Sequence, residues 1–310
     1  MIKINKKFKP EQSQIIIFDI DRTLAKITDS YEMCIKLATK EYLELFGYQI
    51  NLKKLASEED FYQLWQKKEL SDVWYLTYAL SAYYLAQMIV KNQIEYKFSS
   101  FVPLLLKSPG CDKYEIIQNA IKKIFKANKK NINKNLYIFN NLWQPNILKC
   151  FFQNYFIKQN YWSKDKTTIP VKELIKLLSE LNKKFVLGIA TARPKEELMH
   201  FLKQYNLSQY FQSKAIISLE AGGKDERILQ SLKKLTQTPE KTASIYIGDT
   251  VSDIEAVNTL KKKGVNIRII STGVELNNQI LKKINYQILI KAKTDLYVDS
   301  LKELNKIFNI

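Results

Sequence analysis

One histidine stands in 310 residues. It is His200, set within a lysine-bearing helical pattern where a surface or packing role suits it. A Ser-His-Asp relay has little to draw on, and no G-x-S-x-G supplies its nucleophile elbow. The loop G-x-x-x-x-G-K-[ST] is absent as well, which argues against a P-loop nucleotide enzyme. Cysteine is scarce: Cys34, Cys111 and Cys150 are odd in number, far apart and without metal spacing. They read as reduced thiols of a cytoplasmic protein rather than a disulfide framework. The opening "MIKINKKFKPEQSQ" is polar and short and does not read as a signal peptide. One long stretch lacks charge, "VWYLTYALSAYYLAQMIV" from Val73 to Val90. Its Thr77, Ser81, Gln87 and tyrosines, with charged flanks close by, point to a buried helix and not a membrane span.

Charge of one sign is also in deficit. Lys and Arg number 49 against 31 Asp and Glu, a formal net charge of +18. The lysines are spread along the whole chain among Asn, Ile and Tyr, the pattern of a solvated basic surface. The excess would steer anionic ligands toward the protein. A dedicated nucleic-acid site is not required by it, though the charge leaves one open. With 46% hydrophobic residues there is enough apolar material for a sizeable core.

Apolar runs of strand length occur at 14–19, 185–191, 214–218, 243–248 and 266–271. Helical patterns lie between them. Leu174, Leu177, Leu178 and Leu181 recur at helical spacing, and Pro194 suits the first position of a helix over 194–205. Further helices are expected at 224–236 and 252–263, the second closed by Gly264. Strands alternating with helices predict a parallel, Rossmann-like sheet covered on both faces. From about 26 to 164 the strand signal fades. There Tyr114, Ile117, Ile121, Ile124 and Phe125 make one apolar stripe, and "KANKKNINKN" at 126–135 reads as an exposed loop. The expected fold is therefore an α/β core, 1–25 and 165–310, interrupted by an all-helical insertion over 26–164.

Chemistry gathers at the strand ends. "IIIFDIDRTLA" runs four apolar residues into Asp19, Asp21 and Thr23. "GIATARP" ends a strand at Thr191, "GGKDERI" opens a helix at Lys224, and "IGDTVSD" carries Asp249 and Asp253. In a parallel sheet the carboxyl ends of the strands form the ligand crevice. Carboxylates brought together there repel one another unless a cation sits among them, and their hard oxygens suit Mg²⁺. A threonine hydroxyl and an ammonium would hold phosphate oxygens. An aspartate is ionised at neutral pH and can attack phosphorus without a base to activate it. Asp21, two residues on, projects to the same side if the backbone stays extended.

"DIDRT", the threonine of "GIAT", Lys224 and "GDTVSD" together resemble the four motifs of the haloacid dehalogenase superfamily, chiefly its phosphatases. The resemblance covers about 1–25 and 165–310, and the insertion resembles that superfamily's C1-type helical cap. It implies Asp19 as nucleophile and Asp21 as general acid/base, with the Asp21 backbone carbonyl also reaching Mg²⁺. It implies Asp249 as a direct metal ligand, Asp253 as support, and Thr191 and Lys224 as phosphate-binding groups. Arg22 departs from the family's usual glycine and places an extra cation near the pocket. The lysine motif lacks the common following proline, so Lys214 stands as a substitute for Lys224. "ELSDVWYLTYAL" resembles a cap segment of C1-capped hydrolases, which makes Asp72 and Trp74 candidate substrate contacts against a helix cap and a core tryptophan. Arg193 is either a substrate contact or a solvated charge. Dehalogenation is disfavoured because dehalogenases of the superfamily lack the second aspartate. The expected activity is Mg²⁺-dependent hydrolysis of a small or medium organic phosphate monoester through an aspartyl-phosphate. The alternatives are a phosphomutase of similar fold and a phosphate- or nucleic-acid-binding protein without turnover. Oligomeric state is left open.

Overall fold

A computed structural model describes residues 3–4, 9, 12–66, 73–91, 93, 95, 97–128, 131–273 and 279–310. Its strands are β1 (Lys3–Ile4), β2 (Ile15–Phe18), β3 (Ala25–Lys26), β4 (Lys166–Thr167), β5 (Val186–Ala190), β6 (Ile216–Ile217), β7 (Ser244–Gly248), β8 (Ile267–Thr272) and β9 (Leu296–Val298). The chain divides into two compact units, 1–27 with 165–310, and 28–164.

In the first unit, the sheet order among the described residues is β1-β9-β8-β7-β2-β5-β6. All pairs are parallel except β1 with β9. The apolar run of β2 shows why it is central. Ile16 and Phe18 enter one core, while Ile15 and Ile17 enter the other. Alternate side chains point to opposite faces of a strand, so a strand covered on both sides must be apolar throughout. β7 divides the same way, with Ile245 and Ile247 to one side and Tyr246 to the other.

Helices α8 (Val171–Lys184), α9 (Lys195–Gln204) and α13 (Leu304–Phe308) supply residues to the Phe18 side. Helices α10 (Lys224–Leu235), α11 (Val251–Lys262) and α12 (Gln279–Lys291) supply the Ile17 side. The stripe Leu174, Leu177, Leu178 and Leu181 is wholly buried on α8, with Glu173 in its first turn and Lys183 and Lys184 in its last, as the helix dipole favours. Gly264, at φ +86, follows α11 in the left-handed conformation that glycine adopts without steric cost.

Some expectations need correcting. Pro194 caps α9 from outside, at φ −55 and ψ 148, and the helix begins at Lys195. The extended ψ makes it the last loop residue and not the first helical one. β9 went unread because three residues are too few for periodicity to register. The chain leaves the sheet unit through β3 and returns through β4, which pair antiparallel with Ala25 opposite Thr167.

The second unit is helical: α1 (Met33–Glu44), α2 (Glu58–Trp65), α3 (Val73–Lys91), α4 (Val102–Leu106), α5 (Lys113–Ala127), α6 (Ile132–Leu142) and α7 (Pro145–Gln153). α3 is the charge-free stretch, buried without interruption from Leu76 to Met88. Its polar groups are satisfied inside the unit. Thr77 and Ser81 donate to the Val73 and Tyr78 carbonyls, Tyr83 donates to the Lys97 carbonyl, and the Gln87 side-chain oxygen accepts from the Glu95 N–H. Among the described residues, no helix is long and apolar enough to cross a membrane. The loop expected at 126–135 is shorter than read. α5 runs to Ala127 and α6 starts at Ile132, because the stripe ending in Phe125 carries the helix on.

Candidate active site

The strand order places the site. From β2 the chain proceeds to β5 and β6 on one side, then returns to β7, β8 and β9 on the other. The order therefore reverses at the β2–β7 boundary, and such a switch point opens a crevice at the carboxyl ends of the strands. Asp19 follows β2 directly and its N–H donates to the Ile247 carbonyl at 2.9 Å. Phe18 is level with Ile247 on one side and Ile189 on the other. Asp249, just past β7, and Thr191, just past β5, thus flank the first motif.

Three carboxylates converge there. One oxygen each of Asp19, Asp249 and Asp253 lie within 4.8 Å of one another, and all three residues are buried. Asp253 reaches the cluster from the first turn of α11, where it also caps the helix. Its Oδ2 accepts from the N–H groups of Asp249 and Thr250, at 3.2 and 2.9 Å, and from the Thr250 hydroxyl at 2.6 Å. The approach needs a residue without a side chain at 248, since a Cβ on Gly248 would lie 2.5 Å from the Asp253 Cγ.

Lys224, the first residue of α10, joins the carboxylates. Its Nζ lies 3.2 Å from Asp19 Oδ2 and 2.5 Å from Asp253 Oδ1. Burial disfavours the ammonium, but Asp19 and Asp253 outweigh it and hold the lysine charged above its usual range. Burial also raises the Asp19 carboxyl; Lys224 opposes the rise, Asp253 and Asp21 add to it, and the result is about 6. Asp249 is pushed up by burial and by the Asp253 charge, with Arg22 opposing. Asp253 goes the other way, because Lys224 and the Thr250 hydrogen bonds overcome its burial. The cluster is thus short of positive charge, most of all at Asp249. Hard oxygens in excess of local cations suit a divalent ion such as Mg²⁺.

The remaining candidates fall variously. Asp21 stays outside the cluster of three. The backbone turns after Asp19, with the Ile20 carbonyl accepting the N–H groups of Thr23, Leu24 and Ala25. The extended geometry that would project both aspartates alike ends there. Instead the Asp21 Oδ1 accepts from Arg193 Nε at 2.6 Å. Arg193 is accordingly not a solvated charge; its side chain is 1% exposed and also pairs with Asp165. Arg22 takes φ 60, a conformation that favours glycine, and lies buried near enough for its charge to oppose the rise at Asp249. Thr191 is buried, and its hydroxyl accepts the Arg193 N–H at 3.3 Å. Lys214 is exposed in the turn Ser213–Ala215, so Lys224 is the lysine beside Asp19. Asp72 lies outside the described residues. Trp74 is half-buried, edge-on to Phe152 at 4.8 Å with Lys149 over its ring. His200 is half-buried on α9. Asp165 had no sequence signal; a lone aspartate before "KTTIP" belongs to no motif.

Residues 98–270 match the family of haloacid dehalogenase-like hydrolases, more than half of the chain. The chain belongs to this family. As a haloacid dehalogenase-like hydrolase it carries Thr191, Lys224, Asp249 and Asp253 inside the matched span, while Asp19 and Asp21 precede it. The chain matches no curated protein. Its fold is similar to a haloacid dehalogenase-like hydrolase from Streptococcus pneumoniae, at 15% identity, covering 96% of this chain and 99% of that one with a TM-score of 0.52. It is similar also to phosphatase Tt82 from Thermococcus thioreducens, at 18% identity, 88% and 99% coverage and a TM-score of 0.52.

Proposed function

We propose that this hydrolase is a Mg²⁺-dependent phosphatase acting on a small or medium organic phosphate monoester. The observation that carries the reading is the convergence of Asp19, Asp249 and Asp253 with Lys224 at the switch point of the sheet. Asp19 is the nucleophile. Its carboxylate is oriented by the Ile20 N–H, which donates to Oδ1 at 2.8 Å. It attacks phosphorus as the ester oxygen leaves, and Asp21 gives that oxygen a proton. Water then attacks the aspartyl-phosphate, Asp21 takes its proton, and phosphate leaves with Asp19 restored.

Asp19 and Asp249, with the Asp21 backbone carbonyl, would hold the Mg²⁺. Asp253 has both oxygens engaged by hydrogen bonds and Lys224, which suits a supporting role. When bound, Mg²⁺ supplies positive charge to the phosphate oxygens and relieves the repulsion of the carboxylates. Thr191 and Lys224 add a hydroxyl donor and an ammonium for the same oxygens. The helical unit, 28–164, serves as a C1-type cap that sheds water and selects substrate. The three cysteines form no disulfide, Cys34 being buried and Cys111 and Cys150 exposed, which fits a reducing cytoplasm.

Turnover of p-nitrophenyl phosphate tests the reading. Mg²⁺-dependent activity, lost in EDTA and in Asp19→Asn, is expected. Retention of RNA or DNA that weakens with salt, with no turnover, would replace it with a binding protein.

A further inference from the structure

Arg193 is held from both its side chain and its backbone. Its Nε donates to Asp21 Oδ1 at 2.6 Å, and its Nη2 lies 2.5 Å from Asp165 Oδ2. Its Cζ sits 5.4 Å from the centre of the Phe201 ring. The backbone is pinned too. Its N–H donates to the Thr191 hydroxyl, and its carbonyl accepts the Leu219 N–H at 2.9 Å. Asp165 is anchored in turn, its carbonyl accepting the Tyr205 hydroxyl at 2.6 Å.

The exposures are unequal. Arg193 and Asp165 are 1% and 2% exposed, whereas Asp21 is 30% exposed. A buried ion pair is poor evidence of stabilisation, because desolvation offsets much of the attraction. Stability alone gives little reason to bury a guanidinium at this spot. The Nε bond to Asp21 does give geometry, since a charge-assisted hydrogen bond fixes a carboxylate in direction as well as distance, while Nη2 and Asp165 are held as an ion pair.

We infer that Arg193 is the positioning residue for Asp21, with Asp165 as its counter-anchor. Arg193 occupies Oδ1 of Asp21 and so fixes the direction in which Oδ2 faces. Oδ2 is the atom left to carry a proton to the departing oxygen and to receive one from water. Asp165, the first residue of the returning chain in this unit, balances the charge and stops the guanidinium from swinging toward Asp21 alone. The inference rests on the phosphatase reading and adds to it a support for the acid/base that the four motifs do not contain.

The test compares two aryl phosphates of similar shape, p-nitrophenyl phosphate and phenyl phosphate. The nitrophenolate leaves readily without a proton, whereas phenolate is the stronger base and needs one. General acid catalysis contributes about 10²- to 10⁴-fold where the leaving group requires it. Arg193→Lys keeps the charge and loses the fork. It is expected to lower kcat/KM, which reports formation of the aspartyl-phosphate, by roughly 100-fold on phenyl phosphate and by less than about 10-fold on p-nitrophenyl phosphate. Asp165→Asn keeps the side chain's shape and is expected to give the same inequality at smaller size. It serves as the measurement should Arg193→Lys fail to fold. Equal losses of kcat/KM on the two substrates in the folded variants, or no loss, overturn the positioning role while the phosphatase reading stands. Wild-type protein without Mg²⁺-dependent turnover of either substrate overturns both.

Discussion

Asp19→Asn should stabilise the metal-free protein while abolishing its activity. Asp19 is 5% exposed and its carboxyl titrates near 6 rather than the usual 3.8. Burial is the main cause, and Lys224 only partly offsets it. At about 1.4 kcal/mol per pH unit, keeping this group ionised in the folded chain costs about 3 kcal/mol. The sign follows from the direction of the shift. Below the unfolded value of 3.8 the group is protonated in both states and costs nothing. Between 3.8 and about 6 the unfolded chain releases the proton and the folded chain resists, so the penalty grows. Above about 6 it is present in full. Asparagine resembles the protonated acid in shape and carries no charge, so it removes the penalty at high pH only.

The assay is urea unfolding in EDTA at pH 8 and again near pH 4.5. A gain of about 2–3 kcal/mol is expected for the variant at pH 8, shrinking to about 1 kcal/mol at the lower pH. Mg²⁺ should then narrow the difference, because an ion bound only by the folded protein adds about 2.7 kcal/mol at 100 times its Kd, and the wild type should bind it more tightly. A variant less stable than wild type at pH 8, or equally improved at both pH values, would refute the claim that Asp19 is held against its own ionisation.

Two further substitutions probe the same pocket. Arg22→Gly frees residue 22 from a left-handed strain of about 1–2 kcal/mol and removes the cation that opposes the Asp249 shift. Calorimetric titration should then show tighter Mg²⁺ binding, on the order of tenfold, since a divalent ion inherits the charge that Arg22 had balanced; unchanged affinity would mean that the guanidinium does not bear on the metal cluster. Gly248→Ala drives a methyl group against the Asp253 carboxylate. A loss of about 1–3 kcal/mol in stability is expected from such overpacking, together with weaker Mg²⁺ binding, and a fully stable variant with normal affinity would place Asp253 elsewhere.

The sheet was legible because its physics is periodic. A strand buried on both faces has to be apolar at every position, and Ile15–Phe18 is. The leucine stripe of α8 is read for the same reason. Asp19, Thr191, Lys224, Asp249 and Asp253 stand out in the sequence because each ends a strand or opens a helix, and parallel strands end on one side; the structure brings Asp19, Lys224, Asp249 and Asp253 together. Arg193 and Asp165 were not legible as a pair. The partner of Arg193 in the site, Asp21, is 172 residues away, and an ion pair leaves no repeat in the chain. "TARP" even misleads, since an arginine next to a helix start looks like a solvated charge. The turn after Asp19 was hidden for another reason. Arg22 adopts a positive φ that its residue type does not advertise, and only the hydrogen bonds to the Ile20 carbonyl reveal where the extended backbone stops.

Family likeness and topology carry different parts of the site. The matched span begins at 98, in the helical unit, and ends at 270, within β8. It takes in Thr191, Lys224, Asp249 and Asp253 but not the segment that holds the two aspartates of "DIDRT". What brings those aspartates in is strand order. Inserting β2 between β5 and β7 leaves Asp19 one residue past Phe18, which is level with Ile247 and Ile189. A strand at an edge of the sheet would have had one such neighbour; a central strand has two. The position with the most flanking strand ends is therefore the one that can draw a metal ligand from one side and a phosphate donor from the other. For the proposed nucleophile, which must meet both, the centre of the sheet at its switch point is the place the physics favours, and the apolar run that forces β2 into the centre is also what puts Asp19 there.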